Sequence, residues 1–371
     1  MQEAVVLVGG LGTRLRPLTL TTPKPMLPVA GVPFIAHQCA KLQAAGVDHV
    51  VLATSYRPEI FADYLGDGAS LGIRITYVHE REALGTGGAI RNASAALESG
   101  ANDPVVILNG DVLSGHDLRG QVELHRKTEA AVTLHLVEVA DARAYGCVPT
   151  DADGRVTAFL EKMPDPVTNW INAGAYVFRR SVIDAIPAGQ VISVERDTFP
   201  NLLLAASDIR AWQESAYWID VGTPEAFVRC SADVVLGVAP SNAASPAGSA
   251  RIGDAMVLLG AEMANDVRLS GGTTIGAGAR VGTGTDVDES VVMDAAVVGS
   301  STRVRRSVIG KGAVIGDGCV LDGCVLADGV VVADGTELPP GTRVELDVDI
   351  AGTSNKPLSD PAVTDTAASG T

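Results

Sequence analysis

The stretch "VLVGGLGTRLRPLTLTTPKPMLPVAG" (residues 6–31) runs from an apolar, β-branched segment straight into glycine, proline and cationic residues. A strand that ends in glycines lets backbone N–H groups come close to an anion. Arg14, Arg16 and Lys24 crowd the same loop. An arginine grips a phosphate as a bidentate fork, and a lysine held between Pro23 and Pro25 is a fixed point charge. The prolines stiffen the loop and reduce the entropy lost on ordering it. A turn with no ligand would not need three cations. Two common phosphate loops are excluded: Leu15 stands where a dinucleotide fingerprint needs its third glycine, and no G-x-x-x-x-G-K-[ST] occurs.

Outward from this loop, residues 1–235 alternate short β-branched runs with helical stretches. Strands are expected at 4–8, 50–54, 73–78, 105–108 and 131–137, and helices at 34–45, 58–65, 88–97 and 118–127. That alternation predicts an α/β domain with a mostly parallel, Rossmann-like sheet. Ligands bind such sheets at the carboxyl ends of strands, where both the opening loop and the "NGD" of 109–111 fall.

Residues 236–250, "LGVAPSNAASPAGSA", read as a linker. Beyond it apolar residues recur every six positions: Ile275, Val281, Val287 and Met293, then Val308, Val314, Val320, Leu326, Val332 and Leu338. A period of six is neither helical nor simple alternation. It predicts a solenoid of triangular coils over 251–350. The two runs are out of phase, so an insertion is expected between them. The Ala/Thr/Ser-rich end, 351–371, is expected to be disordered.

The length of 371 residues favours two domains, and a hydrophobic fraction of 46% with 19% charged residues suits a globular chain. No apolar run is long enough to span a bilayer, and the N-terminus lacks a signal-peptide pattern, so a cytoplasmic protein with no membrane partner is expected. The net charge of −16 argues against nucleic-acid binding. The five scattered cysteines include no C-x-x-C and read as idle or buried thiols.

The loop, together with "LGTGGAI" (84–90), "NGDVL" (109–113), "FLEK" (159–162), "INAGAYVF" (171–178) and "WIDVGTPEAF" (218–227), resembles the sugar nucleotidyltransferases, or NDP-sugar pyrophosphorylases. The pattern is most similar to the mannose-1-phosphate guanylyltransferases that carry a C-terminal hexapeptide-repeat domain, a left-handed β-helix. The resemblance implies that mannose 1-phosphate attacks the α-phosphate of GTP and pyrophosphate leaves, in a Mg²⁺-dependent in-line displacement. It implies catalytic roles for Arg14, Lys24 and Lys162, and nucleotide contacts at Leu7, Gly9, Gly10, Gly12, Thr13, Glu80, Gly85, Thr86 and Asn109. It places the sugar on Gly146, Glu161, Asn172 and Gly174, and the metal on Asp111 and Asp220. Two carboxylates plus phosphate oxygens are an ordinary magnesium set. Met163 stands where the family often has proline, so a slight backbone change is expected there.

Glu80 has two readings: an exposed acid on a loop with Arg81 and Glu82, or a reader of guanine. A carboxylate only accepts hydrogen bonds. Guanine offers it two adjacent donors, whereas uracil and thymine set carbonyls beside their single N–H. Three alternatives accompany the main reading. A second, acyl-transferring site is disfavoured, because all six histidines precede residue 136 and the solenoid has none to serve as a base. A non-catalytic regulatory relative would be expected to lose loop residues, and none is lost. The same chemistry on glucose 1-phosphate, on a cyclitol phosphate or with another triphosphate stays open. The solenoid is expected to serve oligomer contacts or regulation.

Overall fold

The computed structural model describes residues 2–161 and 163–345. Lys162 and the 351–371 segment therefore lie outside the described residues. In the N-terminal part, strands β1 (Glu3–Leu7), β2 (His49–Thr54), β3 (Arg74–His79) and β4 (Pro104–Asn109) form the parallel heart of a nine-stranded sheet. After β5 (Val112–Ser114), which stands outside it, the sheet continues with β6 (Val132–Glu138), β7 (Gly146–Cys147), β8 (Leu160–Glu161), β9 (Trp170–Arg179) and β10 (Ile209–Gln213). β9 runs antiparallel to both β4 and β6, so the sheet is mixed at this side. Helices α1 (Phe34–Ala44), α2 (Pro58–Leu65), α3 (Gly85–Ala93) and α4 (Leu118–Thr128) cover its faces. The central strands carry apolar residues on both sides: Val5 and Val6 are both fully buried, on opposite faces. That double burial is what a sheet covered on both faces requires. Among the described residues no helix is long and apolar enough to cross a membrane.

A short β11 (Trp218–Asp220) pairs antiparallel with β5, matching Asp220 to Val112, and leads into helix α5 (Pro224–Leu236). The stretch 236–250 is anchored at several points. Ala239 is buried, and Ser241 Oγ lies 2.6 Å from His37 Nδ1.

From Ala250 the chain winds into a β-helix of three parallel sheets. Its repeat corrects the expected one. Through the middle of the stack partners lie 17 residues apart, as in Thr274, Val291, Val308 and Val325. The interior column runs Ile275, Val281, Val287, Val292, Val298, Val304, Ile309, Ile315, Leu321, Leu326, Val332 and Leu338, all buried in one cluster. Its steps are six, six and five, so these middle coils each drop one residue at the same corner, whereas the first coil (Val257 to Ile275) and the last (Leu326 to Val344) keep the full 18; no insertion interrupts the described coils. Met293, Val308, Val314 and Val320 sit outside that core cluster. Met293 and Val308 pack against the N-terminal part, Val314 is exposed and Val320 is half-buried. Apolar side chains on an outward face misled the count.

Candidate active site

The opening loop follows β1 and turns through three short 3-10 turns, Thr13–Leu15, Leu18–Leu20 and Lys24–Met26. Gly12 holds φ +57°, a left-handed conformation that glycine adopts without strain. Leu15, Leu18 and Leu27 turn inward and are buried, which pins the loop from beneath and leaves Arg14 exposed above. An open cleft of about 320 Å³ lies over the carboxyl ends of β1 and β4. Leu7, Gly9, Gly10, Gly12 and Thr13 line it from the loop side, with Arg14 and Lys24, and Thr86, Asn109 and Asp111 close it opposite. The structure thus gathers most of the residues expected to hold nucleotide and phosphate in one place.

Asp111 and Asp220 meet because β5 and β11 pair. The backbone N–H of Val221 donates to the Asp111 carbonyl at 2.9 Å. Lys24 Nζ donates to Asp111 Oδ2 at 2.9 Å and stands 4.0 Å from Asp220 Oδ1. That Asp220 oxygen is buried without a hydrogen-bond partner. Burial, and then the neighbouring Asp111 charge, raise the Asp220 pKa against the pull of Lys24 and Arg14. A pair of acids sharing one lysine, with an orphan oxygen between them, is short of positive charge. The donor set is all oxygen, as a hard divalent cation prefers, so the two aspartates fit magnesium. Arg14 lies across the backbone of Gly222: a Cβ at that glycine would come within 2.7 Å of its Nη2.

The residues expected to meet the sugar lie beside β9. β7 and β8 pair Gly146 with Glu161, and a Cβ on Gly146 would stand 2.6 Å from Glu161 Oε2. Gly174 (φ +75°) marks the irregularity where β9 shifts register against β6, and its missing side chain leaves room for Asn109. Asn172 Nδ2 donates to Tyr176 Oη at 2.8 Å, and Tyr176 Oη donates to Glu195 Oε1 at 3.3 Å. The other Glu195 oxygen accepts from Thr86 Oγ1 at 3.1 Å and from Ser193 Oγ at 2.8 Å. Glu195 therefore ties Thr86, expected on the nucleotide side, to Asn172, expected on the sugar side. Sequence reasoning missed it: inside "VERDT" an acid between valine and arginine looks like a solvated surface residue.

Glu80 and Gly85 stand outside the cleft lining. Glu80 is only 7% exposed, which corrects the reading of it as an exposed loop acid. Its Oε2 accepts from the Leu84 N–H at 3.3 Å, and burial raises its pKa. All five cysteines are free and buried.

One group of three metal-type side chains occurs among the described residues: His116, His135 and Glu214. It is separate from the aspartate pair. Its two imidazoles stack with centroids 4.0 Å apart and planes 16° apart, so their in-plane lone pairs do not converge on one ion. Lys41 Nζ lies 2.8 Å from His116 Nδ1. Burial lowers the His135 pKa to about 3, which keeps it neutral. This is a core polar network.

The class is set by the comparisons. The nucleotidyl transferase family model matches residues 3–235, and the GMPPB C-terminal domain model matches residues 251–341; the chain belongs to the nucleotidyl transferase family. Among particular proteins, it is 53% identical over 275 residues to the mannose-1-phosphate guanylyltransferase of Mycobacterium tuberculosis, spanning 74% of this chain and 75% of that one. It is 40% identical over 228 residues to mannose-1-phosphate guanylyltransferase 1 of Arabidopsis thaliana, spanning 61% and 63%. The crystal structure of HddC from Yersinia pseudotuberculosis matches with TM-score 0.55 and 30% identity, over 63% of this chain and 100% of that one. The HddC complex with GMP-PN matches with TM-score 0.54.

Proposed function

We propose that this chain is a mannose-1-phosphate guanylyltransferase, joining GTP and mannose 1-phosphate into GDP-mannose and pyrophosphate in the cytoplasm. The observation that carries the mechanism is Lys24 standing between two acids delivered by separate strands, one with an unpartnered oxygen, on the floor of a cationic cradle. Backbone N–H groups of the glycine loop and the Arg14 guanidinium bind and orient the triphosphate. Lys24, drawn from the aspartates to the phosphates, neutralises charge that grows as pyrophosphate departs. Asp111 and Asp220 would hold Mg²⁺, which when bound withdraws charge from the phosphate oxygens. Asn172 and Glu161 accept and orient the sugar hydroxyls, while Gly146 and Gly174 keep that floor low. Lys162, next to Glu161 in sequence, is assigned to the sugar phosphate. Gly85 starts α3 beside Thr86. Glu80 reads guanine: a buried carboxylate with one backbone donor gains two more from the base.

The relatives named for this reaction and the GMP-PN complex of HddC support the choice of sugar and base. Self-association through the solenoid is part of the reading. On its second sheet the outward residues Val297, Val314 and Val331 form an apolar column, the last two 39% and 48% exposed, suited to a second copy. Pyrophosphate release measured across a grid of triphosphates and sugar 1-phosphates, with and without Mg²⁺, tests the assignment. The highest kcat/KM is expected for GTP with mannose 1-phosphate. No Mg²⁺-dependent turnover of any pair would overturn it.

A further inference from the structure

The solenoid touches more than the back of the catalytic part. Its first sheet turns Val291, Val308 and Val325 outward, and these are buried in one cluster with Leu15, Leu18 and Leu27 of the phosphate loop. Beside that apolar contact stand polar ties from the last coils. Arg343 Nη1 donates to the Arg14 carbonyl at 3.0 Å and to the Arg16 carbonyl at 3.5 Å. Thr21 Oγ1 donates to Asp328 Oδ2 at 2.9 Å, and the other Asp328 oxygen accepts from the Lys311 N–H at 2.8 Å. From the opposite side, Tyr56 Oη donates to the Leu20 carbonyl at 3.1 Å, and Arg57 donates to the Thr21 carbonyl.

The loop's own bonds close only short local turns: Leu20 N–H on Pro17, Met26 N–H on Pro23 and Leu27 N–H on Lys24. Leu15 and Arg16 N–H close single turns on Gly12 and Thr13, and Thr19 Oγ1 donates to the Gly12 carbonyl. These turns fix local shape, while the ties from Arg343, Asp328, Tyr56 and Arg57 fix where the turns sit. A guanidinium is planar and its N–H directions are fixed, so donation to the carbonyls of residues 14 and 16 restrains the peptides between them. The Arg14 carbonyl belongs to the residue whose side chain lies over Gly222 beside the cleft. Restraint of that peptide is restraint of the phosphate grip.

We propose that the last coils of the solenoid are a strap on the phosphate loop, with Arg343 and Asp328 as positioning residues that hold Arg14 and its neighbours in the triphosphate-binding shape. This rests on the reading of that loop as the triphosphate cradle. The solenoid then belongs to the nucleotide site, and anything that shifts its last coils shifts affinity for the triphosphate.

The test compares full-length Arg343→Ala, Arg343→Lys, Asp328→Ala, Arg303→Ala and Lys24→Ala. Arg303 is an exposed solenoid arginine and serves as the control. For Arg343→Ala the expected result is a rise in KM for GTP of about tenfold, the scale of one or two hydrogen bonds. KM for mannose 1-phosphate should stay unchanged, and amide exchange should quicken over residues 13–21. Arg343→Lys should recover part of the loss, Asp328→Ala should show a smaller rise in the same KM, and Arg303→Ala should match wild type. An unchanged KM for GTP with unchanged loop exchange in Arg343→Ala overturns the strap, as does faster exchange confined to the solenoid with both KM values moving together. Full activity in Lys24→Ala, with Arg343→Ala still loosening the loop, would instead strike the reading of the cradle and leave the strap standing.

Discussion

The cleft and the solenoid corner treat polar groups in opposite ways. At one corner Thr285, Thr302 and Cys319 stack at 17-residue spacing, and each buried hydroxyl serves two neighbours. Thr302 Oγ1 donates to the Gly316 carbonyl at 2.9 Å and accepts from the Cys319 N–H at 3.1 Å, and Thr285 Oγ1 does the same one coil below. In the cleft, Asn109 Oδ1 and Asp220 Oδ1 are buried with no partner. Buried polar atoms are normally paired, so an orphan marks either a cost or a place for something that binds. His135, orphaned at both ring nitrogens, shows that the mark alone is not enough. It stacks on His116 within a network that already carries Lys41 and Glu214. Asp220 stands 4.0 Å from Lys24, which lines an open cleft together with Arg14 and Asp111, and that combination is what marks a candidate site.

The largest effect is expected where the orphan is removed. Asp220→Asn should lower kcat by on the order of 10³ or more, with Mg²⁺ dependence weakened. The same change should leave stability unchanged or raise it by up to about 1 kcal/mol, because it deletes a buried charge beside Asp111. Steady-state pyrophosphate release and thermal unfolding on one sample check both. A large loss of stability would mean the aspartate is structural and would dissolve the contrast. The pH dependence has a definite sign. The Asp220 pKa is raised, so its ionised form costs stability at neutral pH, and that cost fades as pH falls through the raised value. A bound divalent cation favours the ionised carboxylate, so adding Mg²⁺ should shrink that cost, which thermal unfolding with and without Mg²⁺ checks.

Glu80 gives the intermediate effect and sharpens what a single unfilled acceptor means. It is buried, and among the described residues the Leu84 N–H is its one donor. Glu80→Gln should cut the preference for GTP over UTP by about 10- to 100-fold, the scale of one bidentate base contact. The ratio of kcat/KM values measures it. An unchanged ratio would make Glu80 a packing acid.

The opening loop stood out as a cleft wall because its composition is hard to explain otherwise: three cations, glycines and prolines crowd one strand end. Asp111 and Asp220 were legible only through the family pattern, since their meeting depends on pairing between β5 and β11 across about a hundred residues. The solenoid was visible as a period, but its register was not. Val308 is apolar because it docks against the loop, and nothing local distinguishes it from Ile309, which faces the interior. Glu195 was invisible for the converse reason. Its partners Thr86 and Tyr176 come from other elements, and the local sequence offers only a charged triplet.

The smallest effect belongs to the satisfied region, where chemistry and stability should separate in the opposite sense. Thr302→Val keeps the shape and removes the hydroxyl. The Cys319 N–H then loses its acceptor inside the stack, where water cannot replace it. One buried backbone donor left unpaired costs about 1–3 kcal/mol. Thr302→Ser keeps both bonds and should recover most of that loss. This corner faces away from the sheet that docks on the catalytic part, so turnover at 25 °C should match wild type in both variants. Denaturant unfolding should show the midpoint falling for Thr302→Val without a change in slope. If turnover fell as well, the corner would be coupled to the cleft, and the division between a region built to be complete and one built to be completed by substrate would have to be redrawn.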